Sequence, residues 1–186
     1  MPKCEDQDFY CQNPDYTLFD KVASAELINP PTVDEIVNKS KFGTLVPLVP
    51  EFRLEDLTHN DFVRGLHDKN GIYHLWVDFD ECDDHDTHTL RCVYVGKGFA
   101  EERVKEHIKH KFAGSDHLYV GFYECSNRIS KYLEQLFLDL YACDLNAIEN
   151  PGIHTLYAVW SYERYTRGTD AHEISGRSKL TGIQYD

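Results

Sequence analysis

Two segments rich in aromatic and β-branched residues, separated by an acidic tract, constrain the fold of this chain most strongly. Residues 71–79 read GIYHLWVDF and residues 90–95 read LRCVYV, and this composition favours β-strands. Residues 80–89 lie between them and are rich in Asp, Thr and His. The pattern predicts an antiparallel hairpin with a long connecting loop, whose second strand ends at Gly96-Lys97-Gly98.

Helical and extended patterns alternate after this hairpin. Residues 101–111 place apolar side chains, including Val104, at helical spacing. Residues 118–125 (LYVGFYEC) predict a third strand, and Ser126 follows as the N-cap of a long helix with one apolar face. Residues 155–162 predict a further strand. The expected fold class is therefore α/β, of the α+β type, with a small central antiparallel sheet flanked by helices.

The N-terminal third of the chain carries helix signals of its own. Thr32-x-x-Glu35 is a capping box that predicts a short helix, and Thr58 is placed to cap a helix that ends near Leu66. We therefore divide the chain into a mainly helical N-terminal extension (residues 1–69), a core (residues 70–152), and a C-terminal strand and tail (residues 153–186). The extension is a candidate surface for a protein partner.

The chain is acidic overall but not uniformly so. It carries 19 basic and 32 acidic residues, for a formal net charge of −13, and a uniformly acidic protein repels nucleic acid and anionic membranes. Residues 91–133 are the exception, because they hold eight basic and five acidic side chains. This basic segment, with Lys105, Lys109 and Lys111 among its cations, is where we expect an anion to bind.

The sequence does not resemble that of a membrane protein or a secreted protein. No apolar run approaches about 18 residues, the length of a membrane-spanning helix, so we expect no membrane partner. The first residues lack the basic and apolar regions of a secretion signal. These features predict a cytoplasmic or nuclear protein, and delivery of the protein as a toxin stays open.

Six cysteines occur in the chain, and without a secretion signal we expect their thiols to be reduced. Cys82, His85, His88 and Cys92 offer ligand types that bind zinc, although their spacing matches no standard zinc ribbon or finger. An ordinary solvated loop is the favoured interpretation of this segment.

Several aromatic and basic residues are spaced as a motif across the hairpin and the helix that follows it. Gly71-Ile72-Tyr73 and Tyr94-Val95-Gly96 stand on the two strands, and Lys97 follows the second triplet directly. Arg103 and His107 are four residues apart, so they project from one face of the predicted helix.

Two further polar residues complete the pattern. Glu134 lies at the margin of the apolar face of the long helix, and Asn146 follows it by 12 residues. In this order, the two triplets and these side chains resemble the GIY-YIG nuclease family over about residues 70–152. The form Tyr94-Val95-Gly96-Lys97-Gly98 is similar to that of the ankyrin/LEM-domain nuclease branch and its bacterial relatives.

The resemblance implies a metal-dependent endonuclease, a hydrolase that binds DNA and cleaves its phosphodiester bonds. Such hydrolysis needs a divalent cation, a base for the attacking water and cations that stabilise developing charge. Glu134 would be the ligand of Mg²⁺ or Mn²⁺, since hard cations of this kind need few protein carboxylates. Arg103 would contact the phosphate. Tyr73 would accept the proton of the water, if its pKa is lowered.

The remaining positions of the family pattern have supporting roles. Tyr94 and His107 would orient the water or the phosphate. Lys97 would help to lower the pKa of Tyr73, and Asn146 would support the network of the site. The identity of the general base stays open among Tyr73, Tyr94 and His107.

The sequence also departs from the family pattern. The two motif tyrosines are 21 residues apart, more than in a compact hairpin, and the intervening acidic residues 80–89 would repel DNA unless they point away or bind cations. Taken singly, such tyrosines and charged residues are also common in protein cores and on surfaces. The alternatives are a non-catalytic module of the same fold that binds nucleic acid or protein, and an RNA nuclease. Roles in repair, restriction, mobile elements and toxicity all stay open.

Overall fold

A computed structural model describes residues 4, 11, 14–45, 61–111, 118–146, 148 and 150–169. The helical segments are α1 (Thr17–Glu26), α2 (a single π-helical turn, Asp34–Asn38), α3 (Asp61–Gly65), α4 (Ala100–Lys111), α5 (Asn127–Leu140) and α6 (Tyr162–Arg167). The strands are β1 (Lys41–Leu45), β2 (Asn70–Cys82), β3 (Thr87–Phe99), β4 (Leu118–Glu124) and β5 (Tyr157–Ser161). The fold is α+β, as predicted.

The strands form one five-stranded sheet in the order β1-β4-β2-β3-β5, and every neighbouring pair is antiparallel. β2 lies at the centre, and its residues from Gly71 to Trp76 are all buried, because helices cover both faces of the sheet there. The predicted central antiparallel sheet is therefore confirmed. β5 pairs only with the first part of β3, from Thr87 to Arg91, so the second part of β3 has an edge that other segments must cover.

The hydrophobic core has one layer on each face of the sheet, because successive residues of a strand point to opposite faces. Ile72 and Trp76 of β2 pack in one cluster with the apolar face of α5. Tyr73 and Leu75 pack in a second cluster against α3 and α4, including Val104. Tyr73 therefore belongs to the α4 face of the sheet, and α5 covers the opposite face.

The β2–β3 hairpin is longer than the sequence predicted. β2 continues to Cys82, β3 begins at Thr87, and these two residues lie opposite each other across the ladder. Only residues 83–86 form the turn, so the prediction of a long loop over residues 80–89 is wrong. The acidic composition of this segment favoured a loop. The first part of β3 is a strand because it pairs with β5, and His88 is buried there.

A β-bulge in β3 decides which face of the sheet the Tyr94 side chain occupies. Trp76 of β2 lies opposite Cys92. The preceding residue of β2, Leu75, lies opposite Tyr94, so Val93 is an extra residue in β3. Val93 and Tyr94 consequently both pack on the α4 face. Regular alternation from Cys92 onward would have turned Tyr94 to the α5 face.

The helices and strands after the hairpin agree with the sequence. The predicted bounds of α4, β4 and β5 agree with the structure within one or two residues at each end, and α5 begins directly after the predicted cap. The Ser126 side chain accepts a hydrogen bond from the Ile129 backbone N–H, which confirms it as the N-cap of α5. Leu133, Leu136 and Phe137 on the apolar face of α5 are buried.

The N-terminal third contributes both helices and a strand. The capping box is confirmed, since the Glu35 N–H donates to Thr32 Oγ1 at 3.2 Å and the Thr32 N–H donates to the Glu35 carboxylate at 2.9 Å. β1 pairs with β4 and forms one edge of the sheet, and Phe19 and Ala23 of α1 lie in the core cluster with α5. A mainly helical extension over residues 1–69 is therefore not confirmed, because this segment shares the sheet and core of the rest of the chain.

Some predicted features fall outside the part of the chain that the structure describes. These are the cap at Thr58, the side chains of Lys109 and Lys111, and the tail beyond residue 169. Within the described ranges, no helix combines the length and the apolar character that crossing a bilayer requires.

Candidate active site

The two motif tyrosines lie side by side on the α4 face of the sheet. Tyr73 is buried in β2 with 1% of its surface exposed, and its ring centroid lies 6.0 Å from that of Tyr94. The two hydroxyl groups share a hydrogen bond. The bulge at Val93 makes this pair possible, because it turns Tyr94 to the face that Tyr73 already occupies.

Gly96 leaves room for the tyrosine pair. It lies opposite Tyr73 across the ladder. A Cβ atom at this position would lie 2.5 Å from the Tyr73 hydroxyl oxygen and 2.8 Å from a ring carbon of Tyr94. Any side chain would therefore displace one of the rings, which gives the glycine of the second triplet a steric role.

α4 adds an imidazole and a guanidinium beside the tyrosines. The His107 ring centroid lies 4.2 Å from that of Tyr94 and 6.2 Å from that of Tyr73. Arg103 lies one turn earlier on the same helix, and its side chain is exposed. The predicted spacing of these two residues on one helical face is confirmed, and it places a permanent cation next to the tyrosine pair.

Glu134 and Lys97 form an ion pair on the α5 face. Glu134 lies on α5, and its Oε2 accepts a charge-assisted hydrogen bond from Nζ of Lys97 on β3. The side chains of Lys97 and Glu134 are 33% and 18% exposed, so solvent reaches the pair. Lys97 therefore belongs to the candidate site.

The pKa values of both tyrosines are raised. Burial raises the pKa of Tyr73 well above its usual range, and the neighbouring Tyr94 and the Glu134 charge act in the same direction, against Arg103. Burial also raises the pKa of Tyr94, whereas the hydrogen bond with Tyr73 lowers it. The interaction between the two hydroxyls therefore favours ionisation of Tyr94 over ionisation of Tyr73. The lowered pKa that the sequence hypothesis required of Tyr73 is not found.

Asn146 fixes the part of β3 that carries Tyr94. Its Oδ1 accepts a hydrogen bond from the Val95 N–H and its Nδ2 donates to the Val95 carbonyl, both at 2.9 Å. The Leu145 N–H donates to the Val93 carbonyl at 3.0 Å. These bonds give hydrogen-bond partners to backbone groups of β3 that β5 does not pair, on both sides of Tyr94. Asn146 is thus a positioning residue.

A cleft of about 610 Å³ opens at the end of the sheet where β2 begins and β3 and β4 end. Its walls include Glu102 and Arg103 of α4 and Ser126 and Asn127 at the start of α5. Phe99 also lines it, with 60% of its surface exposed. The first N–H groups of a helix and its dipole favour anions, so Arg103 and the start of α5 make this cleft suitable for a phosphate.

The predicted site residues fall into two groups at one end of the β2–β3 hairpin. The α4 face carries Tyr73, Tyr94, Arg103 and His107, the α5 face carries Lys97 and Glu134, and Asn146 braces the strand between them. Phe99 is a further candidate that sequence reasoning missed. The available signal was a large aromatic residue directly after the Gly-Lys-Gly turn.

The zinc arrangement considered from the sequence is not assembled. His88 stacks on an aromatic ring of α6 with ring centroids 3.7 Å apart, and Cys92 is buried in the core. Cys82 and His85 instead lie beside two cysteines of the N-terminal segment, at the opposite end of the hairpin from the tyrosines.

No protein-family model, curated protein or solved structure matches this chain. The resemblance to GIY-YIG nucleases therefore stays a prediction that rests on the motif residues and on the contacts among them.

Proposed function

We propose that the protein is a GIY-YIG-type endonuclease that hydrolyses DNA phosphodiester bonds with the help of a divalent metal ion. The observation that carries this proposal is the convergence of the tyrosine pair, the Arg103 cation and the Glu134 carboxylate at one end of the hairpin. Phosphodiester hydrolysis needs a proton acceptor, a fixed cation and a metal ligand, and these groups supply one of each.

Glu134 is the metal ligand in this proposal. Its carboxylate is partly exposed and its charge acts on both tyrosines, so an ion bound to it would lie within electrostatic reach of them. A single protein carboxylate suits Mg²⁺, which keeps several waters and binds substrate phosphates. When bound, Mg²⁺ or Mn²⁺ would polarise the phosphate and lower the pKa of the attacking water. Lys97 orients the carboxylate through their ion pair.

The opposite effects of the two tyrosine hydroxyls on each other's pKa favour Tyr94 as the proton acceptor. Burial and the charge of Glu134 oppose ionisation of Tyr94, whereas the hydrogen bond with Tyr73 and the charge of Arg103 favour it. An ionised Tyr94 keeps the hydrogen bond that Tyr73 donates, and that bond becomes stronger because its acceptor is charged. Tyr73 then stabilises the base, and His107 packs against the Tyr94 ring and holds its orientation. This proposal narrows the sequence hypothesis, which named Tyr73 first but left the base open among Tyr73, Tyr94 and His107.

The cleft beside Arg103 is the proposed path of the nucleic-acid strand. A guanidinium forms two parallel hydrogen bonds with phosphate oxygens. The positive end of the α5 helix dipole, at its N-terminus, also attracts the phosphate. The exposed ring of Phe99 offers a surface on which a base can stack. A strand bound here would cross the end of the sheet, between the α4 and α5 groups of the site.

The acidic turn of the hairpin does not oppose DNA binding at this site. Nine residues separate Tyr73 from Cys82, which is about 30 Å of extended strand. That distance exceeds the Debye length of about 8 Å at physiological salt. The negative charges at residues 83–86 are therefore largely screened from a phosphate held by Arg103.

The experiment that tests the proposal is incubation of the purified full chain with supercoiled, linear and branched DNA and with single-stranded RNA, in Mg²⁺, Mn²⁺ or EDTA. We expect DNA cleavage with either cation and none in EDTA. DNA binding without cleavage would support the non-catalytic module instead. Cleavage of RNA alone would make the protein an RNA nuclease, and undiminished cleavage in EDTA would remove the metal from the proposal.

A further inference from the structure

A second cluster of reactive side chains lies at the opposite end of the β2–β3 hairpin. Cys82 ends β2, and His85 lies in the turn that follows it. Cys4 and Cys11 reach the same place from the N-terminal segment. The metal-binding atoms of these residues, three sulfurs and one ring nitrogen, all lie within 4.8 Å of one another.

We propose that Cys4, Cys11, Cys82 and His85 form a zinc-binding site. Three thiolates and one imidazole are a ligand set of structural zinc centres. With Zn–S of about 2.3 Å and Zn–N of about 2.0 Å, tetrahedral geometry places sulfur and nitrogen about 3.5 Å apart. The observed distances from His85 Nδ1 are 3.7 Å to Cys11 Sγ and 3.4 Å to Cys82 Sγ, so both nitrogen–sulfur distances are close to those that a zinc ion imposes.

The third observed distance, between two sulfur atoms, is shorter and identifies the competing chemistry. Cys4 Sγ and Cys11 Sγ lie 2.8 Å apart, between a disulfide bond of about 2.05 Å and the separation of about 3.8 Å for two zinc-bound thiolates. A disulfide between Cys4 and Cys11 would leave Cys82 and His85 without a role. Zinc accounts for the convergence of all four side chains, because each of them then supplies one ligand.

The ligand types select the ion and its role. Thiolate and imidazole ligands suit zinc, whereas Mg²⁺ prefers oxygen ligands. Four protein ligands leave no position for substrate, so the site is structural. The surrounding acidic residues, including Asp83 and Asp84 in the turn, attract cations to this end of the hairpin.

The zinc site would fasten the N-terminal segment to the hairpin turn. Two hydrogen bonds already join the same segments: the Cys4 N–H donates to the Asp84 carboxylate at 2.8 Å, and the Thr87 hydroxyl donates to the Cys11 carbonyl at 3.0 Å. Cys4 and Cys82 are 78 residues apart in the chain. An ion that binds both closes a long loop, so binding of the ion and folding of this region are coupled.

The test measures the metal content of the full chain, purified under reducing conditions from zinc-supplemented cells without chelators. We expect about one zinc ion per wild-type chain, and its loss in Cys82→Ser and in His85→Gln. Cys125→Ser is the matched control, because it removes a half-buried thiol at the end of β4 outside the cluster. Titration of metal-free protein with Co²⁺ should give the visible bands of a tetrahedral thiolate site in wild type and in Cys125→Ser.

Several results would overturn the proposal. One is wild-type protein that contains no zinc and shows no tetrahedral Co²⁺ bands. Others are a Cys4–Cys11 disulfide detected by mass spectrometry in protein kept reduced, and zinc retained at the wild-type level by both ligand variants. If Cys82→Ser does not fold, His85→Gln decides, since the His85 side chain is exposed and its removal leaves no cavity.

Discussion

The two ends of the β2–β3 hairpin carry different ligand chemistry on one continuous ladder. The end with the tyrosines offers oxygen atoms and a guanidinium, and it borders a cleft of about 610 Å³. The end with the turn offers sulfur and imidazole nitrogen, and its four protein ligands leave no open coordination position. An open site suits a hard ion that keeps waters and binds substrate, whereas a closed site suits a soft ion that stabilises structure. The hairpin separates a proposed catalytic metal from a proposed structural one.

The largest expected effect is loss of cleavage on removing the Glu134 carboxylate. Glu134→Gln keeps the shape of the side chain but removes its charge, so we expect cleavage in Mg²⁺ to fall by at least about 10³-fold, equivalent to about 4 kcal/mol of transition-state stabilisation. Single-turnover cleavage of labelled DNA measures this rate.

Asp139→Asn is the control for that change, because Asp139 is an exposed carboxylate on the same helix whose Oδ1 accepts a hydrogen bond from Gln135. We expect wild-type cleavage from this control. Equal loss of activity in both variants would show that α5 responds to any neutralised charge and that Glu134 has no special role.

The next largest effect should separate the two tyrosines. Tyr94→Phe removes the proposed proton acceptor, so we expect the chemical step to slow by about 10²- to 10⁴-fold. Tyr73→Phe removes only the hydrogen bond to that acceptor and should slow the step less. Single-turnover rates and DNA-binding curves for both variants measure the difference. A larger loss in Tyr73→Phe would return the base role to Tyr73.

The same assignment predicts how cleavage depends on pH. Burial raises the pKa of Tyr94, so the phenol is protonated at neutral pH and a growing fraction ionises as the pH rises. The wild-type rate should therefore rise with pH through the alkaline range until the protein unfolds, and the rise should flatten in Tyr94→Phe. An unchanged pH profile in that variant would leave the proton to His107 or to the metal-bound water.

A smaller effect is expected at Asn146, which hydrogen-bonds the β3 backbone at Val95 and does not line the cleft. Asn146→Ala removes both hydrogen bonds to Val95. We expect the chemical step to slow by about tenfold, as for other residues that position the reacting side chains without contacting the substrate. DNA affinity should stay unchanged, because Arg103 and the cleft are intact. If Asn146→Ala loses DNA affinity as well as cleavage rate, Asn146 contributes to binding of the substrate and the positioning role is wrong.

The last prediction concerns the stability of the fold and not cleavage, at His74 between the two ends of the hairpin. His74 is fully buried, and neither ring nitrogen has a hydrogen-bond partner among the described residues. Burial lowers its pKa from 6.5 to about 3. Below about pH 6.5 the unfolded chain binds a proton that the folded chain does not, so stability falls by about 1.4 kcal/mol for each further pH unit. Thermal unfolding from neutral to acidic pH should show a weaker dependence in His74→Leu than in wild type.

The sequence predicted those parts of the fold that depend on neighbouring residues. α4, β4, α5 and the Ser126 cap follow from apolar spacing and side-chain capping within a few residues. The placement of Arg103 and His107 on one helical face follows in the same way. The elements that carry Arg103, His107 and Glu134 could therefore be predicted from the sequence.

The parts that sequence reasoning missed depend on contacts between distant segments. The bulge at Val93 inserts one residue into the ladder and reverses the face of Tyr94, and composition does not reveal where a ladder shifts. The strand after the turn depends on pairing with β5, which begins at Tyr157. Cys4 and Cys11 were isolated thiols in the sequence, and only the fold brings them to Cys82.

The two proposed metal sites at opposite ends of the hairpin should be independent of each other, and one paired measurement shows whether they are. Zinc content and Mg²⁺-dependent DNA cleavage are measured on the same preparations of Glu134→Gln and Cys82→Ser, each checked for wild-type circular dichroism. We expect Glu134→Gln to keep its zinc and lose cleavage, and Cys82→Ser to lose its zinc and keep cleavage. If folded Cys82→Ser cannot cleave DNA, or if Glu134→Gln loses its zinc, the two sites are not independent.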